Sequence, residues 1–136
     1  MTSLPFEFLE HAADIKIKVK GKNLSQIFER ITLAISHYLS GGTSVKKRLV
    51  ANIELQGHDQ SSLLYTYIDE LLYLLDAEHF LVSKAEVIVE GNTLTATLYG
   101  DESKNYDIQH IKAATYAEMK IQNHLKSWEA EVVVDV

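Results

Sequence analysis

Asp14-Ile15-Lys16-Ile17-Lys18-Val19-Lys20 and the last run of the chain, Glu129-Ala130-Glu131-Val132-Val133-Val134-Asp135-Val136, decide the reading of the fold. Side chains alternate between the two faces of a strand, so Ile15, Ile17 and Val19 share one face while Asp14 and the three lysines share the other. The final run divides in the same way: Ala130, Val132, Val134 and Val136 form its apolar set, opposite Glu129, Glu131, Val133 and Asp135. If the two strands pair antiparallel, with Lys18 opposite Glu131 and Lys20 opposite Glu129, favourable charge pairs fix the register. That register brings Asp14 beside Asp135. Two carboxylates about 4 Å apart repel by roughly 4 kcal/mol at an effective dielectric near 20, so such a pair either holds a proton or attracts a metal ion. The main-chain carboxylate of Val136 adds a third oxygen donor group, and oxygen-only ligands suit calcium or magnesium. The other arrangement that fits the pattern has the strands apart and both Asp residues solvated at strand ends.

Between these runs, Asn23 and Gln26 have capping-box spacing ahead of a helix with apolar positions at Leu24, Ile27, Phe28, Ile31, Ile35, Tyr38 and Leu39, which Gly41-Gly42 stops. A strand over Val45 to Leu55 follows. Gly57-His58-Asp59 then leads into a second helix, N-capped by Asp59 or Ser61, that buries Leu64, Ile68, Leu71, Leu72 and Leu75. From Phe80 onward the period changes to two, with a hairpin turn at Gly91-Asn92, a polar loop from Gly100 to about His110, and a last hairpin turning near Asn123-His124. The spacing predicts an α+β fold: a mixed sheet with antiparallel hairpins, carrying two main helices mostly on one face.

The 136 residues, 46% of them hydrophobic, fit a single domain over 1–136, with no Pro/Gly/Ser-rich linker to divide it. The absence of cysteine excludes disulfides, thiolate metal sites and cysteine nucleophiles. No stretch reads as an export signal or a membrane span, so the expected location is the cytoplasm. A formal charge of −6 argues against a general affinity for phosphate backbones and favours docking on a basic partner. Any RNA would then be reached indirectly, through that partner. Phosphate loops, dinucleotide fingerprints, nucleophile elbows and paired-His metalloprotease motifs are all missing. The six histidines are scattered, and His11 stands out by lying three residues before Asp14. Lys112, in a small-residue stretch before a strand, suits either a salt bridge or a contact to a phosphate or partner carboxylate.

Several motifs in order resemble the archease family. Phe6-Glu7-Phe8-Leu9-Glu10-His11-Ala12-Ala13-Asp14-Ile15 is similar to the opening signature Glu-His-Thr-Ala-Asp-Ile-Gly. Gly57-x-Asp59 before Leu63-Leu64, the helix Tyr67-Ile68-Asp69-Glu70-Leu71-Leu72, the run Ile111-Lys112-Ala113-Ala114-Thr115-Tyr116 and the closing Asp-Val follow along essentially the whole length. The resemblance implies a non-enzymatic accessory protein of the GTP-dependent tRNA-splicing RNA ligase, promoting guanylylation of the ligase's active-site histidine and its multiple turnover. It also implies a divalent cation, calcium in the family's description, held by Asp14, Asp135 and Val136. The end of the sheet that bears the metal, with His11, Asp59 and Lys112 nearby, would face the ligase's nucleotide site. Ala12 stands where the family has Thr, Lys16 where it has Gly, and Ala117 where it often has His. Two other classes fit the residues: a stand-alone metal-dependent phosphoesterase using Asp14, Asp59 and Asp135 with His11, and a chaperone-like binding module for nucleic-acid-modifying proteins.

Overall fold

A computed structural model describes residues 4–11 and 14–136, without the side chains of Glu10 and His11. In chain order the elements are β1 (Glu7–His11), β2 (Asp14–Gly21), α1 (Leu24–Leu39), β3 (Leu49–Gln56), α2 (Gln60–Glu78), β4 (Phe80–Glu90), β5 (Thr93–Glu102), β6 (Ala113–His124) and β7 (Ser127–Asp135). The strands form two sheets, one ordered β1-β2-β7-β6 and the other β3-β5-β4. The α+β class and the two helices are as the sequence predicts.

The sheet arrangement differs from the expected single mixed sheet, because every pairing is antiparallel and the strands are divided between two sheets. A strand-helix-strand order suggests a parallel crossover. Here α1 instead carries the chain out of the four-stranded sheet into the three-stranded one, so β2 takes β7, its most distant strand in sequence, as its inner neighbour. β1 is a further strand that alternation did not mark, held by β2 from Glu7–Lys18 to His11–Asp14.

α1 starts as its capping residues dictate. Asn23 Oδ1 accepts from the Gln26 N–H at 2.8 Å, satisfying a donor that the first turn leaves open, and Gln26 Oε1 reaches back to the Lys22 N–H just before the helix at 2.7 Å. Gly41 and Gly42 then turn the chain away with φ of 64° and 88°, a region that costs other residues steric strain. One face of α1 places Ile27, Phe28, Ile31 and Ile35 in the core against Ile17 and Val19 of β2, while α2 adds Leu63, Leu64, Tyr67 and Ile68. The β4 edge is sealed by α1 itself, since the N–H groups of Val87 and Val89 donate to Glu29 Oε2 (2.9 Å) and Ser25 Oγ (3.0 Å).

β3 begins at Leu49 and not at Val45 as the apolar pattern suggests. The preceding residues are tied elsewhere: the Val45 carbonyl accepts from Ser83 Oγ at 2.7 Å, and the Lys46 N–H donates to the Tyr106 hydroxyl at 2.9 Å. Among the described residues no helix is long and apolar enough to cross a membrane.

Candidate metal centre

The β2–β7 register places Asp14 directly opposite Asp135, Lys18 opposite Glu131 and Lys20 opposite Glu129. This is the register that sets opposite charges across from one another, although the ion pairs themselves run one step along the diagonal. Lys18 Nζ lies 3.3 Å from Glu129, and Lys16 Nζ lies 3.8 Å from Glu131 and 3.5 Å from Glu118. Long side chains span such i, j±2 separations readily. Lys16, the residue standing in place of a small glycine, is thus drawn to two glutamates of its own sheet face.

β6 holds the other side of Asp135. Ala113 is its cross-strand partner, and the Lys112 N–H donates to the Asp135 carbonyl at 2.8 Å. All four strands therefore converge on one end of this sheet: the His11–Asp14 pair of β1 and β2, Asp135 of β7 followed by half-buried Val136, and Lys112–Ala113 at the start of β6. Asp14 and Asp135 are brought together as neighbours, with Lys112 beside them. His11 belongs to this end by its backbone, and its side chain lies outside the described residues, as does Ala12. Among the described residues no three His, Cys, Asp or Glu side chains group so as to hold a metal ion. Among the described residues the donors at this end are two side-chain carboxylates and the main-chain oxygens next to them. Oxygen donors of this kind fit a hard divalent cation such as calcium.

Asp59 is not part of this end, which corrects the expectation that it lies near the other candidates. It N-caps α2: its carboxylate accepts from the Ser62 N–H at 2.7 Å, and Ser62 Oγ accepts from the Asp59 N–H at 3.1 Å in a complete capping box. It lines a shallow depression with Asn92 and Ile121. Ile121 pairs with Ala130, five residues up β7 from Asp135, which is about 17 Å at the rise of a strand. The sequence signal at Asp59 is a helix start, and its own spacing accounts for it.

Two polar features were not marked by the sequence. Asp101 is only 1% exposed and binds the Tyr106 hydroxyl (2.8 Å), the Glu102 N–H (2.8 Å) and the Arg48 guanidinium (3.3 Å). Burial alone would push its carboxyl up, but these hydrogen bonds and the arginine hold it below the usual carboxylate range. The group ties the basic run before β3 to the loop after β5. The second feature is a stack of Tyr65 on Tyr116, with centroids 4.5 Å apart and planes within 9°. Both features join residues distant in sequence, and neither leaves a local pattern.

The sequence profile of the Archease protein family matches residues 6–136. The chain belongs to the archease family. "Protein archease" of Sulfurisphaera tokodaii is 35% identical over 136 residues, covering 96% of this chain and 98% of that protein. The archease of Pyrococcus abyssi is 34% identical with the same coverage, and an archease-like protein of Drosophila melanogaster is 31% identical over 100% of this chain and 93% of its own. The solution structure of Methanobacterium thermoautotrophicum protein 1598 superposes with a TM-score of 0.84 at 31% identity, covering 98% of this chain and all of that one. A Thermotoga maritima crystal structure, described as an archease and possible chaperone, has a TM-score of 0.69 at 19% identity over 94% of each chain and shares the fold. Both solved structures share the fold of two helices and two antiparallel sheets.

Proposed function

We propose that this archease is an accessory protein of the GTP-dependent tRNA-splicing RNA ligase, without a covalent step of its own, that promotes guanylylation and multiple turnover of the ligase. The observation that carries the reading is the cross-strand pairing of Asp14 with Asp135 at an end of the sheet that also presents Lys112. In this reading Asp14, Asp135 and Val136, through a main-chain oxygen, hold a divalent cation; oxygen donors suit calcium or magnesium, and the family resemblance implies calcium. The cation when bound supplies positive charge that phosphate oxygens or partner carboxylates can share.

The protein's own residues do the rest. The sheet sets Asp14 and Asp135 side by side before any partner arrives, and Lys112 and His11 would serve as contacts for the ligase's nucleotide site. Acceleration then comes from positioning and from charge already in place, which lowers the barrier without a nucleophile on this chain. RNA is engaged through the ligase.

Multiple-turnover ligation with the cognate ligase, GTP and a divalent metal tests this, with the protein added in substoichiometric amounts. Sustained turnover beyond one ligation per ligase, lost in Asp135→Asn, is the expected result. Full stimulation by folded Asp14→Asn and Asp135→Asn proteins would sink the metal-dependent reading, and no stimulation by the wild-type protein would sink the activator reading as a whole.

A further inference from the structure

α2 is charged in a way that its own stability does not explain. Between Gln60 and Glu78 it has no Lys, Arg or His, and Asp76 and Glu78 lie at its C-terminal end, where the helix dipole disfavours negative charge. Tyr73 is 56% exposed between Asp69 and Asp76, so its ring is open to a partner. Tyr65, Asp69, Tyr73 and Asp76 follow i, i+4, i+8, i+11 spacing and so form one stripe. At its near end the stripe continues onto β6 through the stack of Tyr65 on Tyr116, whose ring is itself 54% exposed.

A backbone distortion puts Tyr116 there. The β6–β7 register jumps from Thr115–Val133 to Lys120–Glu131, so that the four residues 116–119 of β6 oppose the single residue 132 of β7. Inside this bulge Glu118 has a φ of 60°, uncommon for a residue with a side chain, and the Ala117 N–H turns back to Thr115 Oγ1 at 2.8 Å. Bulges of this kind re-aim a side chain, and the strain is borne by a segment that presents an exposed tyrosine. The direction of α2 matters as well. Its N-cap Asp59 lies by Ile121 and its Tyr65 by Tyr116, so the helix advances along β6 toward Ala113, the partner of Asp135. The stripe therefore leads to the candidate metal end.

We propose that the stripe formed by Tyr116, Tyr65, Asp69, Tyr73 and Asp76 is a docking face for an arginine-bearing protein surface. Ring faces and carboxylates both attract a guanidinium, through its charge above the aromatic plane and through paired hydrogen bonds. The same carboxylates repel phosphate, so the chemistry selects a cationic protein and not a nucleic acid. The proposal rests on the activator reading, in which that surface belongs to the ligase and lies beside its nucleotide site.

The test measures binding of the full-length protein to the cognate ligase in calcium, at low and high salt, for wild type, Tyr73→Ala, Tyr116→Ala and the double variant Asp69→Lys/Asp76→Lys. Each is expected to weaken binding by about tenfold or more. The double variant should also flatten the salt dependence, and all three should keep the wild-type calcium response and a cooperative melt. Wild-type affinity in all three would overturn the docking face. If Asp135→Asn still abolished stimulation in that case, the activator reading would stand without it. Affinity of the wild-type protein for RNA, lost in these variants while ligase binding persisted, would overturn the choice of partner.

Discussion

Replacing Asp135 by Asn should change the sign of its effect on stability according to whether calcium is present. Asp14 and Asp135 are direct cross-strand partners, which sets their Cβ atoms about 5 Å apart. With Asp135 exposed to solvent, an effective dielectric toward the aqueous end of the range gives a repulsion of about 1 kcal/mol between the two carboxylates. Neutralising one of them without changing its shape removes that term, and the Lys112 N–H still has the Asp135 main-chain carbonyl to donate to. In a chain of 136 residues, 1 kcal/mol moves Tm by about 3 °C, so Asp135→Asn should melt slightly above wild type in EDTA. Saturating calcium reverses the order. At about 100 times Kd the bound ion stabilises the wild-type protein by about 2.7 kcal/mol, whereas the variant gains little. Thermal melts followed by circular dichroism in EDTA and in a calcium series, with calorimetric titration of the ion, measure both arms. An Asp135→Asn protein that melts below wild type in EDTA and gains the same calcium shift would refute the argument, because Asp135 would then be holding the fold and not the ion.

Other consequences follow from the packing. Asp59→Ala should cost about 1 kcal/mol in urea unfolding through loss of the α2 cap, with Asp59→Asn near wild type and the calcium shift unchanged in both. Tyr67 is buried with its hydroxyl on Thr32 Oγ1, and burial raises its pKa, so it contributes stability that is fully present below about pH 10 and lost as pH rises above that. Tyr67→Phe should cost about 1 kcal/mol at neutral pH, because Thr32 keeps its 2.7 Å bond to the Phe28 carbonyl, and should flatten the alkaline fall seen in the wild-type unfolding free energy. Asp101 is the opposite case: its lowered pKa adds stability above the ordinary carboxylate range that disappears as the pH falls through its folded value, so Asp101→Asn should weaken the acid limb of the stability profile. Gly100→Ala should destabilise by about 2–3 kcal/mol in the same assay, since its Cβ would run into the Leu81 carbonyl and lie 2.9 Å from the Phe80 ring; an unchanged midpoint would show that the β4–β5 bulge can open.

The sequence by itself determined what local physics can write into it. The caps of α1 and α2, the Gly41-Gly42 stop and the Gly91-Asn92 hairpin are readable because each depends on neighbours a few residues away. The β2–β7 register was also legible despite its sequence separation. Period-2 alternation restricts which face each residue occupies, and opposite charges at Lys18, Lys20, Glu129 and Glu131 then select one alignment, which carries Asp14 to Asp135. Only the tertiary structure decided how the strands divide between two sheets, because hydrophobic alternation says which face is buried and not against what. It also removed Asp59 from the candidate centre, since proximity in a motif list is not proximity along β6 and β7. The same holds for the bulge that turns Tyr116 onto Tyr65 and for the bonds that enclose Asp101, where each partner comes from another element and the geometry exists only once the core has fixed those elements relative to one another.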